Sequence, residues 1–155
     1  MVRKDIVGHL PQNIYKEIYA SVPTLCVDLL VIYNNRFLLH RRVNEPAKGE
    51  WFFPGGRVYK NETLENAVRR KAKEELGIDI DNAEVKFLTV GETMFDDTEL
   101  GGSIHSINIT YIVKYEKKPE IILDKTQATE FNWFLKVGIE SPLYVKNILK
   151  KAGFK

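Results

Sequence analysis

The stretch Gly56–Ile78, GRVYKNETLENAVRRKAKEELGI, reads as a glycine-led loop that runs into one uninterrupted helix and stops at a second glycine. From Glu62 to Leu76 there is no Gly or Pro, the composition is Glu, Lys, Arg, Ala and Leu, and Gly77 supplies a left-handed terminus. At roughly 100° per residue, Leu64, Val68, Ala72 and Leu76 form an apolar stripe, with Asn66, Arg69 and Lys73 on the solvent side. Glu75 falls inside that stripe, so a carboxylate is aimed at the core. Left ionised and unpaired it costs several kcal/mol, and the fold must supply a cation or hydrogen-bond donors. Spacing leaves two solutions open. One is an ion pair with Lys71 or Arg70, one turn earlier. The other is a divalent metal on the neighbouring carboxylates Glu74 and Glu75, whose hard oxygens suit Mg²⁺ or Mn²⁺ bridging to phosphate.

Working outward, Pro11 opens a short predicted helix over residues 11–20, and Leu25–Tyr33 and Arg36–Arg42 form a hairpin about Asn34 and Asn35. Pro46, Gly49, Pro54, Gly55 and Gly56 crowd a sharply turning loop around Trp51, Phe52 and Phe53, aromatics read as core with one of them available to stack on a base. Val85–Phe95, Ile104–Tyr115 and Phe131–Leu135 read as strands, with a polar loop over Asp96–Gly102, and Ser141 and Pro142 open a last helix through Lys151. Strands before, between and after helices predict an α/β fold with a mixed sheet covered on both faces.

The 155 residues, 44% hydrophobic and 28% charged, suit one domain over 1–155, uninterrupted by repeats or linkers. A net charge of +2 argues against nucleic acid or an anionic membrane as the main partner and for a small molecule. Lys117, Lys118, Lys150 and Lys151 read as solvated surface. The single Cys26 reads as buried packing in a reducing cytoplasm, and the absence of any long apolar run predicts a soluble, intracellular protein with no membrane partner.

From Gly56 the chain runs Gly, five residues, Glu62, seven residues, Arg70, then Lys71, Ala72, Lys73, Glu74, Glu75, Leu76, Gly77 and Ile78, after Pro54 and Gly55. This resembles the Nudix box, with every fixed position matched except Lys71. The wider segment from Asn44 through Trp51, Arg57 and Leu64, and more weakly Phe95, Asp96, Asp97, Gln127 and Trp133, resembles the GDP-mannose mannosyl hydrolase branch. The resemblance implies a Nudix-type α/β/α sandwich and Mg²⁺, or Mn²⁺, held by Gly55, Glu74, Glu75 and Gln127. It implies Glu62 contacting Arg70, Arg57 and Arg70 stabilising a departing nucleoside diphosphate, Arg42 near the phosphates, Asp28 near the substrate, and a homodimer. Guanidinium groups suit that task through paired, charge-assisted hydrogen bonds. Arg42, Arg57 and Arg70 also have a plainer reading as surface cations, and Glu62 as a helix-end charge.

Two positions depart from the pattern. Lys71 stands where most Nudix enzymes carry a Glu that serves as base or further ligand, a role closed to an ammonium. Ala128 follows Gln127 where the branch has a basic His. His105, at the start of a strand, is therefore the proton acceptor expected from sequence, with a structural or substrate-contacting role as its alternative; Glu130 and Asp97 are further carboxylates, and His9 and His40 receive no role. Three functions follow: hydrolysis of a nucleoside diphosphate sugar at the anomeric carbon, with Glu75 in the catalytic set; attack at phosphorus in a nucleoside triphosphate or related diphosphate; and a nucleotide-binding module without turnover.

Overall fold

Alternation along one central strand organises the architecture. In the computed structural model, which describes residues 5–98 and 102–155 with the side chains of Asp97 and Thr98 set aside, strand β1 (Thr24–Tyr33) is buried on both sides. Val27, Leu29 and Val31 point to one face, where they meet Ala67, Val68, Ala72 and Leu76 of helix α2 (Leu64–Leu76). Leu30 and Ile32 point to the other and meet Val145, Ile148 and Leu149 of helix α3 (Leu143–Lys151). The strand pairs in parallel with β6 (Gly102–Tyr115) and antiparallel with β2 (Arg36–Arg42) and β4 (Gly55–Arg57). Strands β3 (Trp51–Phe52) and β7 (Ala128–Phe134) pair with β2, and β5 (Glu84–Thr98) with β6, completing a seven-stranded sheet. The sheet is mixed and carries a helix on each face, the expected α/β/α sandwich.

Helix α1 (Gln12–Ser21) buries none of its residues. Asn34 and Asn35 close the β1–β2 hairpin with φ of 47° and 56°, a conformation Asn tolerates better than most residues. Several boundaries differ from the sequence-based expectation. Helix α2 begins at Leu64 because Thr63 caps it, accepting the Asn66 N–H, and Glu62 stays in the loop. Helix α3 begins after Pro142, whose extended ψ of 146° keeps Ser141 outside. The β5–β6 pairing extends to Thr98 and Gly102, so most of the predicted polar loop is strand, and residues 99–101 lie outside the described residues. Strand β7 starts at Ala128, earlier than predicted, by pairing with Arg42. Among the described residues no helix is long and apolar enough to cross a membrane.

Gly77 ends α2 at φ +66°, and a Cβ there would lie 2.8 Å from Cβ of Ile122. Gly77→Ala combines left-handed strain with that collision and is expected to cost at least about 1 kcal/mol, read as a lower urea midpoint at unchanged m.

Candidate functional site

Helix α2 delivers Glu75 to the sheet with 3% exposure. Its Oε2 accepts the Gly55 N–H at 3.1 Å and its Oε1 lies 2.5 Å from Lys71 Nζ. The Gly55 backbone approaches so closely that a Cβ would collide with the Val27 carbonyl oxygen and lie 2.9 Å from Asp28 Oδ1. Burial pushes the Glu75 carboxyl up, opposed by Lys71 and the Gly55 N–H. His40, on β2, sits beside it with Nδ1 3.9 Å from Oε2, and among the described residues neither ring nitrogen has a hydrogen-bond partner. Burial first, then Arg42 and Lys71, hold that imidazole down to about 3, so it is neutral. Sequence reasoning missed His40; its place on a buried strand was the available signal.

A second cluster forms along the loop before α2. Arg70 clamps Glu62 through Nε and Nη2 at 2.7 and 2.9 Å, donates to Glu74 at 3.1 Å and to the Arg57 carbonyl at 2.9 Å, and lies 3.7 Å from the Tyr59 ring centroid. Arg70 thus builds the loop, and Glu62 does contact it as the resemblance implies. Arg57 donates to the Gly8 carbonyl at 2.7 Å and to Tyr15 Oη at 3.1 Å, between the rings of Tyr15 and Tyr59. No sequence signal connected the N-terminal helix to this arginine.

Two spaces flank Arg57. One, about 190 Å³, is lined by Asp28, Arg42, Phe52, Tyr19 and by Ile104, Ser106 and Asn108 along one face of β6. The other, about 380 Å³, is lined by Tyr15, Tyr59, Arg70, Lys71 and Gln127, and shares Tyr19 and Arg57 with the first. Asp28 accepts the Tyr144 hydroxyl at 2.6 Å, and burial raises its carboxyl to about 7, against the lowering effects of Tyr144 and Arg42. Arg42 donates to the Pro46 carbonyl at 2.8 Å. A wider groove of about 900 Å³ opens near the C-terminus, lined by residues such as Lys86, Lys114, Lys136 and Phe154, but the convergent polar groups gather around Arg57.

Four expected residues sit differently. His105 takes the face of β6 opposite Ile104, Ser106 and Asn108, because side chains alternate, and contacts Glu92 at 3.2 Å. Glu74 is 44% exposed and pairs with Arg70 and with Lys71 at 3.5 Å, so only Glu75 of the two carboxylates turns inward. Gln127 is exposed at the edge of the larger space, where Oε1 accepts from Asn44 at 3.5 Å. Glu130 pairs with Arg41, and the Asp97 side chain lies outside the described residues.

The donor set decides how these residues suit a divalent ion. Lys71 is ion-paired with both Glu74 and Glu75, Gly55 directs its N–H at Glu75, and among the described residues no group of three or more His, Cys, Asp or Glu is arranged to hold a metal. As arranged, the side chains do not form a metal cage.

Because Asp28 keeps its proton to a higher pH in the folded chain than its ordinary 3.8, the unfolded chain binds fewer protons between 3.8 and about 7. This group's contribution to stability is therefore present below that window and lost as pH rises through it. Asp28→Asn should gain stability relative to the unsubstituted chain as pH goes from acid to neutral, measured by urea unfolding across pH. Cys26, raised by burial to about 11, should react with a thiol reagent at pH 8 far more slowly in the folded than in the unfolded chain.

The chain is 51% identical over 71 residues to the "Low-salt glycan biosynthesis protein Agl8" of Haloferax volcanii, a match spanning 46% of each chain. It is 45% identical over 56 residues to an "ADP-ribose pyrophosphatase" of Methanocaldococcus jannaschii, 36% of this chain and 33% of that one. The matched stretches thus span less than half of these relatives. Among solved structures, a MutT NUDIX hydrolase from Burkholderia pseudomallei superposes with a TM-score of 0.68 at 25% identity, covering 83% of this chain and 97% of that one. The NUDIX domain of Shewanella oneidensis NrtR, complexed with ADP ribose, shares the fold with a TM-score of 0.64 at 20% identity, covering 93% and 97%. The model of the NUDIX domain matches residues 23–137, from β1 past the end of β7, and the chain belongs to the Nudix family.

Proposed function

We propose that the chain acts as one catalytic unit, cytoplasmic and homodimeric, that hydrolyses a nucleoside diphosphate sugar of the GDP-mannose kind to free sugar and nucleoside diphosphate. The observation that carries this reading is the place of Arg57 between two spaces, which gives a diphosphate at its guanidinium room for a different group at each end. The relative named for glycan biosynthesis supports a sugar at one of those ends.

In this reading, water attacks the anomeric carbon. The bond from that carbon to the bridging oxygen breaks, and the oxygen leaves with the nucleoside diphosphate. Arg57 and Arg42 receive the developing charge, and Arg70 contributes by holding the Arg57 carbonyl and the loop. Asp28 takes the proton from water, since it lines the smaller space and is fixed by Tyr144, a position that His105 lacks. Hydrolases of the family generally use a divalent metal such as Mg²⁺. A diphosphate would bring Mg²⁺, or Mn²⁺, as its own counter-ion, which would supply further positive charge to the leaving group; Gln127 lines the larger space and Glu74 lies behind it, paired with Lys71.

A second reading, attack at phosphorus, draws on relatives named as an ADP-ribose pyrophosphatase and an 8-oxo-dGTP diphosphatase. Hydrolysis in ¹⁸O water separates the two, since the label appears in the free sugar for the first and in phosphate for the second. Absence of free sugar from every member of a sugar-nucleotide panel with Mg²⁺ would sink the first. Tight nucleotide binding without any product would instead identify a binding module. Arg57→Lys is expected to lower kcat by about 10²-fold, because a point charge replaces the planar fork, with unfolding unchanged as the control.

A further inference from the structure

Lys71 is more than a departure from the family's pattern, because the loop and helix are shaped around it. Its ammonium, on a side chain 13% exposed, lies 2.5 Å from Glu75 Oε1 and 3.5 Å from Glu74 Oε2. Gly56, at φ +153°, makes room for it: a Cβ at that residue would stand 3.0 Å from Lys71 Cε and 3.3 Å from Nζ. The second oxygen of Glu75 is committed to the Gly55 N–H, with His40 Nδ1 3.9 Å away. Glu74 is shared between Lys71 and Arg70. A hard dication seeking several oxygens meets carboxylates already neutralised, and an ammonium whose like charge repels it.

We infer that Lys71 is the resident cation of this site, filling at Glu75 the place of a protein-bound divalent ion, so that the free protein does not bind one there. The chemistry is simple: a tethered ammonium neutralises the buried carboxylate at every stage, at the cost of the charge density a dication offers. The inference deepens the hydrolase reading of the same site and is tested without substrate, so the failure of either leaves the other standing.

The experiment is a Mn²⁺ titration of the free chain, followed by electron paramagnetic resonance, with thermal melts run with and without Mg²⁺. In the unsubstituted chain, Mn²⁺ binding that is absent, or indifferent to Glu75→Gln, is the expected result. Binding that Glu75→Gln abolishes overturns the inference, and this comparison does not depend on any Lys71 variant folding. Lys71→Gln, which removes the charge and is one atom shorter, should melt lower without metal and regain part of the loss with Mg²⁺, whereas the unsubstituted chain and Lys71→Arg should melt at the same temperature either way. Lys71→Glu, the family's usual residue, should bind Mn²⁺ at least about tenfold more tightly than the unsubstituted chain. Equal Mn²⁺ affinity in the two, lost in both with Glu75→Gln, counts against it.

Discussion

A carboxylate buried without a partner is among the most expensive features a fold can contain, and the arrangement around Glu75 exists to avoid it. Removing its cation would cost about 3–5 kcal/mol on the scale known for broken buried ion pairs. Three elements answer to that one group. Helix α2 brings Lys71 from a turn earlier, the loop brings the Gly55 N–H, and β2 contributes the neutral ring of His40. Each demand propagates. The Gly55 backbone lies against β1 where it reaches Glu75, and Lys71 passes close over Gly56, where a Cβ would stand 3.0 Å from its Cε. The carboxylate therefore ties the loop to the helix and both to the central strand.

The same loop places its next residue, Arg57, at the boundary between two spaces. Its guanidinium is held from the N-terminal side by the Gly8 carbonyl and Tyr15, and its backbone carbonyl is held by Arg70. Arg70 is in turn fixed by Glu62 and stacked on Tyr59. Arg70 thus holds the loop and lines the larger space, while Arg57 lines both. Asp28 joins them from the opposite side of β1, because its even position in the strand directs it toward α3, where Tyr144 donates to it. The site spans both faces of the sheet at its central strand, with Lys71 and Glu75 on the α2 side and Asp28 on the α3 side.

Much of this was legible from local pattern. The 3.6-residue period identified α2 and the inward aim of Glu75, Gly77 identified the helix end, and Asn34–Asn35 identified the hairpin, because each signal acts between residues close in the chain. The Nudix pattern likewise lies within one loop and one helix. The choice between Lys71 and a metal as partner of Glu75 stayed open, since spacing allows both and only the path of the side chain past Gly56 separates them. His105 was misplaced because a candidate strand leaves its face undetermined until its register with β5 and β1 is known.

By itself, then, the sequence determined the loop and helix, the amphipathic stripe and the family, since these depend on neighbours within a few turns of chain. Only the tertiary structure decided which groups share the site: that His40 abuts Glu75, that Tyr15 holds Arg57, that Tyr144 holds Asp28, and that Glu74 faces solvent. Those pairings join residues far apart in the chain, and their geometry is set by sheet order and helix packing, which no local periodicity encodes.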